Sequence, residues 1–522
     1  MDANGGDGAW RGWMERFARA LVGQGAREDR PGGESRPVEE RLLQAVWAEQ
    51  FLRADALTTA SGKRVEVLEP GRWNTGAGPD FLDARLRILG AEVEGDVEIH
   101  RDSADWTRHG HHRDFAYNRT VLHAVLRSSD DRPYEELQNG ARLERLVIEQ
   151  AIEPGLETLR ATVNLEEYPY GRPAHLGVCH DEFMRLPEAE LLEFLDVAGR
   201  ARVEDRLRRY RAQGHGLDQL QLAYQALMAG QGMASNKTLY FLLSKRAPLG
   251  ELRDLARDRA AGDEADFHLA ALLSIAQLFP AEQDLAAQRD AETEAFLAAC
   301  AANWKVARPY FRDRLLPPTR RWFQGMRPPG FPTRRLTAVA VLMSRLTDRE
   351  APLLGRIEAR LGALEPDAMG PKEWRRAWKE LAEPLVVEEP GRYFARRFTV
   401  GGKEGKALAL LGEPAARGLL FNVALPLVLL AARERGDAAT ERKCWGALGR
   451  FPTLEDNSVT RFMKRRLFGD GDPREGYFAT ELRQQALMRV FTDCCSHNER
   501  TCADCAFLSL GERLRSAEAR GA

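Results

Sequence analysis

The chain has 522 residues, 44% hydrophobic and 30% charged, and its 76 Lys+Arg against 78 Asp+Glu leave a formal net charge of −2. That length supports two or three domains with a substantial core, and near-neutrality excludes a global demand for a polyanionic partner. No apolar run approaches the roughly 20 residues of a bilayer span, so no membrane partner is expected.

The N-terminus MDANGGDGAWRGWMERF lacks the basic-then-apolar order of a secretory signal, which gives an expectation of a cytoplasmic protein. There the seven cysteines would be thiols or metal ligands and not disulfides. Residues 1–36 hold too few apolar side chains to bury and read as a disordered or weakly ordered tail, in which Trp10, Trp13, Phe17 and Leu21 share one helical face. From Pro37 the texture changes. EERLLQAVWAEQFL sets Leu42 with Val46 and Leu43 with Trp47 at i, i+4 spacing, which predicts a helix with one apolar stripe.

RVEVLEPG, DARLRILG, EVEGDVEIH and TVLHAVL are short alternating or β-branched segments bounded by Gly and Asp. They predict three strands, a loop or helix, and a further strand. Past about residue 180, segments such as EAELLEFLDVAGRARVEDRLRRY and FHLAALLSIAQLF predict helices punctuated by Pro and Gly, with no fixed-period repeat. The expected organisation is α+β. A tail spans 1–36, a mixed-sheet domain 37–175, a largely α-helical region 176–490 and a Cys-rich tail 491–522.

GPDFLDARLRILGAEVEGDVEIH, residues 78–100, reads as a β-hairpin. With Gly90 and Ala91 as turn residues, Ala84 pairs with Val97, Leu86 with Gly95 and Ile88 with Val93 on an apolar face, while Arg85 meets Asp96 and Arg87 meets Glu94 on the other. The same register sets Asp83 against Glu98 and Phe81 against His100, with no cation between the carboxylates. Opposed like charges destabilise a ladder, and a divalent cation would neutralise them while accepting hard oxygen ligands.

Asp80, in a Gly/Pro-bounded loop, is placed to fold back toward the pair, and Glu98 and His100 project from one face of their strand. Carboxylates that hold an ion, beside a basic side chain that orients or deprotonates its bound water, are the constellation of a metal-dependent hydrolase. Asp80 and Glu98 are the expected metal ligands, Asp83 a reserve ligand, and His100 the group that acts on water. The loop PGRWNTGAGPD reads as a flexible connection that delivers Asp80.

A strand-opening acidic residue, then a hairpin, then Glu-x-Lys on the returning strand, all preceded by a helix, resembles the PD-(D/E)XK, or restriction-endonuclease-like, superfamily. Pro79–Asp80 supplies the first element and Glu98-Ile99-His100 the second, with histidine where lysine is usual. Imidazole orients water but lacks a permanent positive charge at pH 7. The resemblance implies a restriction-endonuclease-like sheet. The wider string GPDF, GDVEIH, SADW, HGHH and VLHAVL, with RPPGFPTRRL at 327–336, LFNVALP at 420–426 and the terminal Cys pattern, resembles an uncharacterised bacterial domain-of-unknown-function family. That second resemblance covers most of 38–507 and implies no activity.

Half of the ten histidines fall between His100 and His123. His109, His111, His112 and Asp114 are candidates for further metal ligation, contact with a scissile phosphate or donation to a leaving group, with His109 and Asp114 ranked ahead. His123, inside a predicted strand, is either a catalytic group or a hydrogen-bonded structural one. Trp106 and Tyr117 read as core or rim aromatics in preference to base-stacking platforms.

Cys495, Cys502 and Cys505 form C-x6-C-x2-C, with Cys494 and His497 close by and Cys179 as a distant fourth candidate. A C-x-x-C turn lets two thiolates grip one tetrahedral ion, and Zn²⁺ is the first expectation. The Cys179 option is similar to nucleases of the PD-(D/E)XK superfamily that carry an iron–sulfur cluster. In RPYFRDRLLPPTRRWFQGMRPPGFPTRR, residues 308–335, arginines face a single acid and are interleaved with Tyr310, Phe311, Trp322, Phe323 and Phe331. Guanidinium forks bind phosphates and aromatics stack bases, so Arg320, Arg321, Arg327, Arg334 and Arg335 are candidate nucleic-acid contacts. The alternative is a solvated segment whose arginines pair with acidic helices.

The resulting expectation is Mg²⁺- or Mn²⁺-dependent phosphodiester hydrolysis acting on nucleic acid. The competing one is an inactive nuclease-like scaffold that binds nucleic acid or protein, and a third is hydrolysis of another phosphoester or a small molecule.

Overall fold

The alternating segments fold as strands β1 (Val65–Glu69), β2 (Arg72–Trp73), β3 (Phe81–Ile88), β4 (Ala91–Asp102) and β5 (Thr120–Arg127), joined by β6 (Tyr134–Glu136) and β7 (Arg142–Val147). This computed structural model describes residues 38–495 apart from 75–77, 154, 164, 166–176, 178, 186–187, 215, 233–235, 260–262, 280–289, 317–319, 324–325 and 470–472. Trp10, Trp13, Phe17 and Leu21 therefore lie outside the described residues, as do Gly76 of the Asp80 loop and the chain after Cys495.

The seven strands make one mixed sheet ordered β1-β3-β4-β5-β7-β6, with β2 paired to β3. β1, β3 and β4 form an antiparallel meander, β5 runs parallel to β4, β7 parallel to β5, and β6 antiparallel to β7. A mixed sheet followed by a mostly helical region is the architecture the residue pattern predicts.

Helix α1 (Glu40–Ala48) buries Leu42, Leu43, Val46 and Trp47 in one core with Val97, Ile99, Leu122, Ala124 and Leu146. Alternation then directs Glu98, His100 and His123 to the opposite face of the sheet. That face is also covered, by Trp106, Tyr117, Leu137 and Leu143. The central strands are thus dry on both sides, so any charge they carry is desolvated.

The β3–β4 register differs by two residues from the one expected. Ala84 pairs with Gly95, Leu86 with Val93 and Ile88 with Ala91. The turn is Leu89–Gly90, whose φ values of 50° and 83° suit a type I′ turn. A shift of two preserves side-chain parity, so the apolar face is the one predicted, and only the charge pairs change. Arg87 now lies 2.5 Å from both Glu66 and Glu92. Between the Phe81–Val97 and Ala84–Gly95 pairs, Leu82 and Asp83 stand against Asp96 alone, a bulge in which Asp83 takes φ 57°.

The chain divides into two units, one of which comprises the described residues up to Leu191, Asp456–Pro473 and the described residues from Leu487 onward. Within it, helix Ser458–Phe468 packs on helix Cys179–Arg185, with the Phe183 and Phe468 rings 5.7 Å apart. The other unit, Leu192–Glu455 with Arg474–Ala486, is helical around a core that includes Phe267, Leu272, Val339, Phe394, Phe421 and Leu429. Its stretch Glu413–Arg435 is long and apolar enough to cross a membrane, yet 72% of its apolar window is buried within the protein. That apolarity is accounted for by the core of this unit.

Gly95 sets the spacing of the strands that carry the site, because a Cβ there would lie 2.5 Å from the Arg119 carbonyl oxygen of the segment entering β5. Gly95→Val should destabilise the sheet unit by about 1–3 kcal/mol through overpacking, seen as a lower urea midpoint for the tryptophan signal of that unit.

Candidate metal centre

Parallel pairing of β4, β5 and β7 sets Glu98 opposite His123 and His123 opposite Arg145, so three ionisable side chains share one row across the sheet. His100 follows two residues after Glu98 on the same face. Beyond β4 the chain makes helix α2 (Asp105–Arg108) and two 3₁₀ turns, His111–Arg113 and Phe115–Tyr117, that fold back over this row. Trp106 anchors the fold-back, fully buried and donating its indole N–H to the Glu136 carbonyl at 3.1 Å.

The result is a cluster of three imidazoles and a carboxylate. Glu98 Oε1 lies 3.3 Å from both His100 Nε2 and His111 Nε2. His109 Nδ1 lies 3.1 Å from His100 Nε2. One ligand atom from each of His100, His109 and His111 falls within 4.8 Å of the others. The rings are held by packing, since His111 stacks on Tyr117 at 4.0 Å and parallel to His100 at 5.2 Å. Nε2 of His111 is buried with no hydrogen-bond partner, an orphan that calls for an explanation in a native core.

Asp80 meets the cluster from the other side. Its Oδ1 accepts from Gln44 Nε2 of α1 at 2.7 Å, its Oδ2 accepts from the Ile99 N–H at 3.0 Å, and its own N–H donates to Glu98 Oε2 at 3.0 Å. Gln44 Oε1 is buried without a partner. Burial, and then the neighbouring Glu98 charge, holds the Asp80 carboxyl well above the usual range. Burial also pushes Glu98 up to about 8, with the Glu40 carboxylate adding to it. The imidazoles move the other way. Burial lowers His100, as does His123 beside it, and takes His111 down to about 4. Both sets of shifts have burial as their first cause, which disfavours the charged form of acid and base alike.

Behind His100 the polar chain continues inward. His100 Nδ1 is 2.9 Å from His123 Nε2, and His123 Nδ1 is 3.1 Å from Glu135 Oε1. Arg145 donates to the same Glu135 oxygen from Nε at 2.8 Å, and from its second amino group to Asp130 Oδ1 at 2.6 Å and Ser128 Oγ at 2.9 Å. Burial works to raise Glu135, but the hydrogen bond from His123 and the Arg145 charge outweigh it, and the net shift is downward.

Of the residues singled out in the sequence, Asp80, Glu98, His100, His109 and His123 converge. Asp83 does not, because the bulge turns it to solvent, where it pairs with Arg119 at 3.1 Å and Arg72 at 3.9 Å. Asp114 is exposed and accepts from the Ala116 N–H, capping the second 3₁₀ turn. His111, ranked below it in the sequence, occupies the cluster instead. Cys179 is buried and Cys495 half-buried, both in the sheet unit, whereas Cys502 and Cys505 lie outside the described residues.

In the helical unit Arg334 is buried, and its guanidinium donates to the carbonyls of Phe394, Ala395, Leu408 and Ala409. Arg335 likewise donates to the carbonyls of Gly330 and Gln231. These bonds hold the buried Arg334 inside the fold and tether the half-buried Arg335 to the backbone. Arg327 is exposed, and the side chains of Arg320 and Arg321 lie outside those described.

Gln44, Glu135 and Arg145 were missed by the sequence reading. For the last two a signal existed: YEELQNGARLERL carries Asn-Gly between two alternating runs, the signature of a β-hairpin. Gly140 takes φ 79° there.

The profile of a family described as Protein of unknown function (DUF2851) matches residues 40–458. No curated protein and no solved structure matches the chain.

Arg145 and Glu135 are 1% and 5% exposed, so removing one charge strands the other. Arg145→Met should cost about 3–5 kcal/mol, and adding Glu135→Leu should restore much of it. Urea titration of the two variants against wild type checks this.

Proposed function

For this chain, which belongs to the DUF2851 family, we propose a divalent-metal-dependent phosphodiester hydrolase whose ion is held by Glu98, His100, His109 and His111, with Asp80 beside them. The observation that carries the reading is Glu98 Oε1, 3.3 Å from two ring nitrogens and desolvated. A lone pair on each of three atoms at that spacing repels unless a proton or a cation lies among them. Three imidazoles and a carboxylate fit a first-row ion such as Mn²⁺ or Zn²⁺ better than Mg²⁺, which prefers oxygen.

When bound, such an ion supplies an acidified water and a polarised phosphoryl oxygen. The chain's own residues divide the remaining work. Gln44 and the Ile99 amide fix the Asp80 carboxylate, leaving it aimed beside Glu98. His100 is a ligand and not a free base, since its ring is 1% exposed and directed at Glu98. His109 is the exposed member of the triad, so the ligand it supplies sits at the solvent edge, where water and substrate arrive. The order helix α1, antiparallel β1-β3-β4, then β5 parallel to β4, with Asp80 opening β3 and Glu98-x-His100 in β4, supports the restriction-endonuclease-like reading.

A polymeric substrate is supported by the rim. Phe115, four residues past His111, is 79% exposed, with Arg113 exposed beside it. An exposed aromatic next to arginine is a stacking platform for an unpaired base.

Metal-stripped full chain reloaded with Mn²⁺, Zn²⁺ or Mg²⁺ is offered linear and circular DNA, single-stranded DNA and RNA. Cleavage is expected with Mn²⁺ or Zn²⁺ and is expected to vanish in Asp80→Asn and Glu98→Gln proteins that keep wild-type circular dichroism. Binding without cleavage under every ion would establish the scaffold instead. Phe115→Ala should weaken single-strand binding by about 1–3 kcal/mol, measured by fluorescence anisotropy, and leave metal affinity unchanged.

A further inference from the structure

We infer that Glu135 and His123 form a buried relay that fixes His100 in the tautomer protonated on Nδ1, so that its Nε2 presents a lone pair to Glu98, His109 and His111. The argument follows charge from the protein interior outward. Glu135 receives Arg145 at 2.8 Å and 2.7 Å, and a guanidinium bound to a carboxylate makes a neutral pair. The second arginine contact, Asp130, is 32% exposed and solvated. No further positive charge is needed inside the sheet, and a protonated His123, fully buried under the Trp106 ring at 5.1 Å, would be a dry surplus cation.

A neutral imidazole has one donor and one acceptor. Ionised Glu135 only accepts, so His123 Nδ1 must donate across the 3.1 Å contact, which leaves His123 Nε2 as an acceptor. His100 Nδ1 then donates across 2.9 Å, and His100 Nε2 is bare. The relay ends on the atom that faces the cluster. Hydrogen bonds that fix a ring's second nitrogen select which nitrogen ligates a metal. Here that selection passes through two strands before reaching its carboxylate. His123 and Glu135 are thus positioning residues, acting through His100.

The tautomer stands without any metal, whereas its consequence, tuning of the ion's affinity, rests on the metal-centre reading. The test uses the full chain labelled with ¹⁵N-histidine, metal-free at neutral pH, with ring-nitrogen spectra assigned for His100 by its loss in His100→Gln. Wild type should show His100 protonated at Nδ1 and bare at Nε2. His123→Gln, whose amide oxygen still accepts, should keep that state. His123→Leu, which offers no acceptor, should lose it.

Co²⁺ titration followed by absorbance should then show roughly 10–100-fold weaker binding in His123→Leu and in the double variant Glu135→Leu with Arg145→Met, with recovery in His123→Gln. Should His123→Leu fail to fold, Glu135→Leu with Arg145→Met, which removes the acceptor together with its paired guanidinium, carries the same comparison. A wild-type His100 protonated at Nε2, or at both nitrogens, overturns the relay, as does an unchanged tautomer in His123→Leu. A bare Nε2 without Co²⁺ binding upholds the relay and overturns the metal centre. Co²⁺ binding to a protein whose free His100 carries its proton on Nε2 does the reverse.

Discussion

Two carboxylates, Glu98 and Glu135, are each 5% exposed on the polar face of one sheet, and they respond to the same desolvation in opposite directions. Glu135 is pulled below its ordinary value by the hydrogen bond from His123 and by Arg145, while Glu98 is pushed up to about 8. Burial is common to both, so the difference is the cation. The sheet closes a complete ion pair on β6 and β7 and leaves β4 with neutral imidazoles and another acid. A buried carboxylate without a matching charge is costly, and this contrast between neighbours of one sheet is what the proposed reading sets out to explain.

The rest of the sheet unit serves that contrast. Gly95 lets β5 approach β4 closely enough for Glu98 and His123 to stand in register. Trp106 and Tyr117 close the polar face and hold His111 and His123 at ring-stacking distance. Their burial follows the expectation of core aromatics, and their packing gives that burial a purpose, since excluding water strengthens every charge effect beneath them.

Parity, periodicity and residue type were legible in the sequence, and absolute position was not. Alternation in DARLRIL and EVEGDVEIH identified the strands and the face of Glu98 and His100, because side-chain direction has period two. The register slipped by two because the turn closes on Leu89–Gly90, where Leu89 accepts a positive φ that its residue type does not advertise, and the bulge at Asp83 adds one residue more beyond Ala84. Asp83 therefore left the site while Asp80 stayed. Arg334 shows the same limit: its charge pattern resembled a phosphate contact, but a guanidinium also satisfies buried carbonyls at the crossing of segments distant in sequence, and local pattern carries no information about which carbonyls those are. Asp114 ranked ahead of His111 in the sequence, and the 3₁₀ turns reversed that order by turning His111 inward and using Asp114 as a cap.

Imidazole at position 100, where the resembled motif carries an ammonium, changes the electrostatics of the whole cluster. A lysine would bring a fixed charge to Glu98 and repel any cation placed beside it. His100, kept neutral by burial, brings a lone pair instead. Two more imidazoles can then approach the same carboxylate, which the chain achieves with the HGHH segment folded over β4. On the proposed reading the positive charge beside Glu98 comes from a bound ion and not from a side chain. The raised Glu98, the orphaned Nε2 of His111 and the three-ring cluster then share one origin, a carboxylate buried among imidazoles on one face of the sheet.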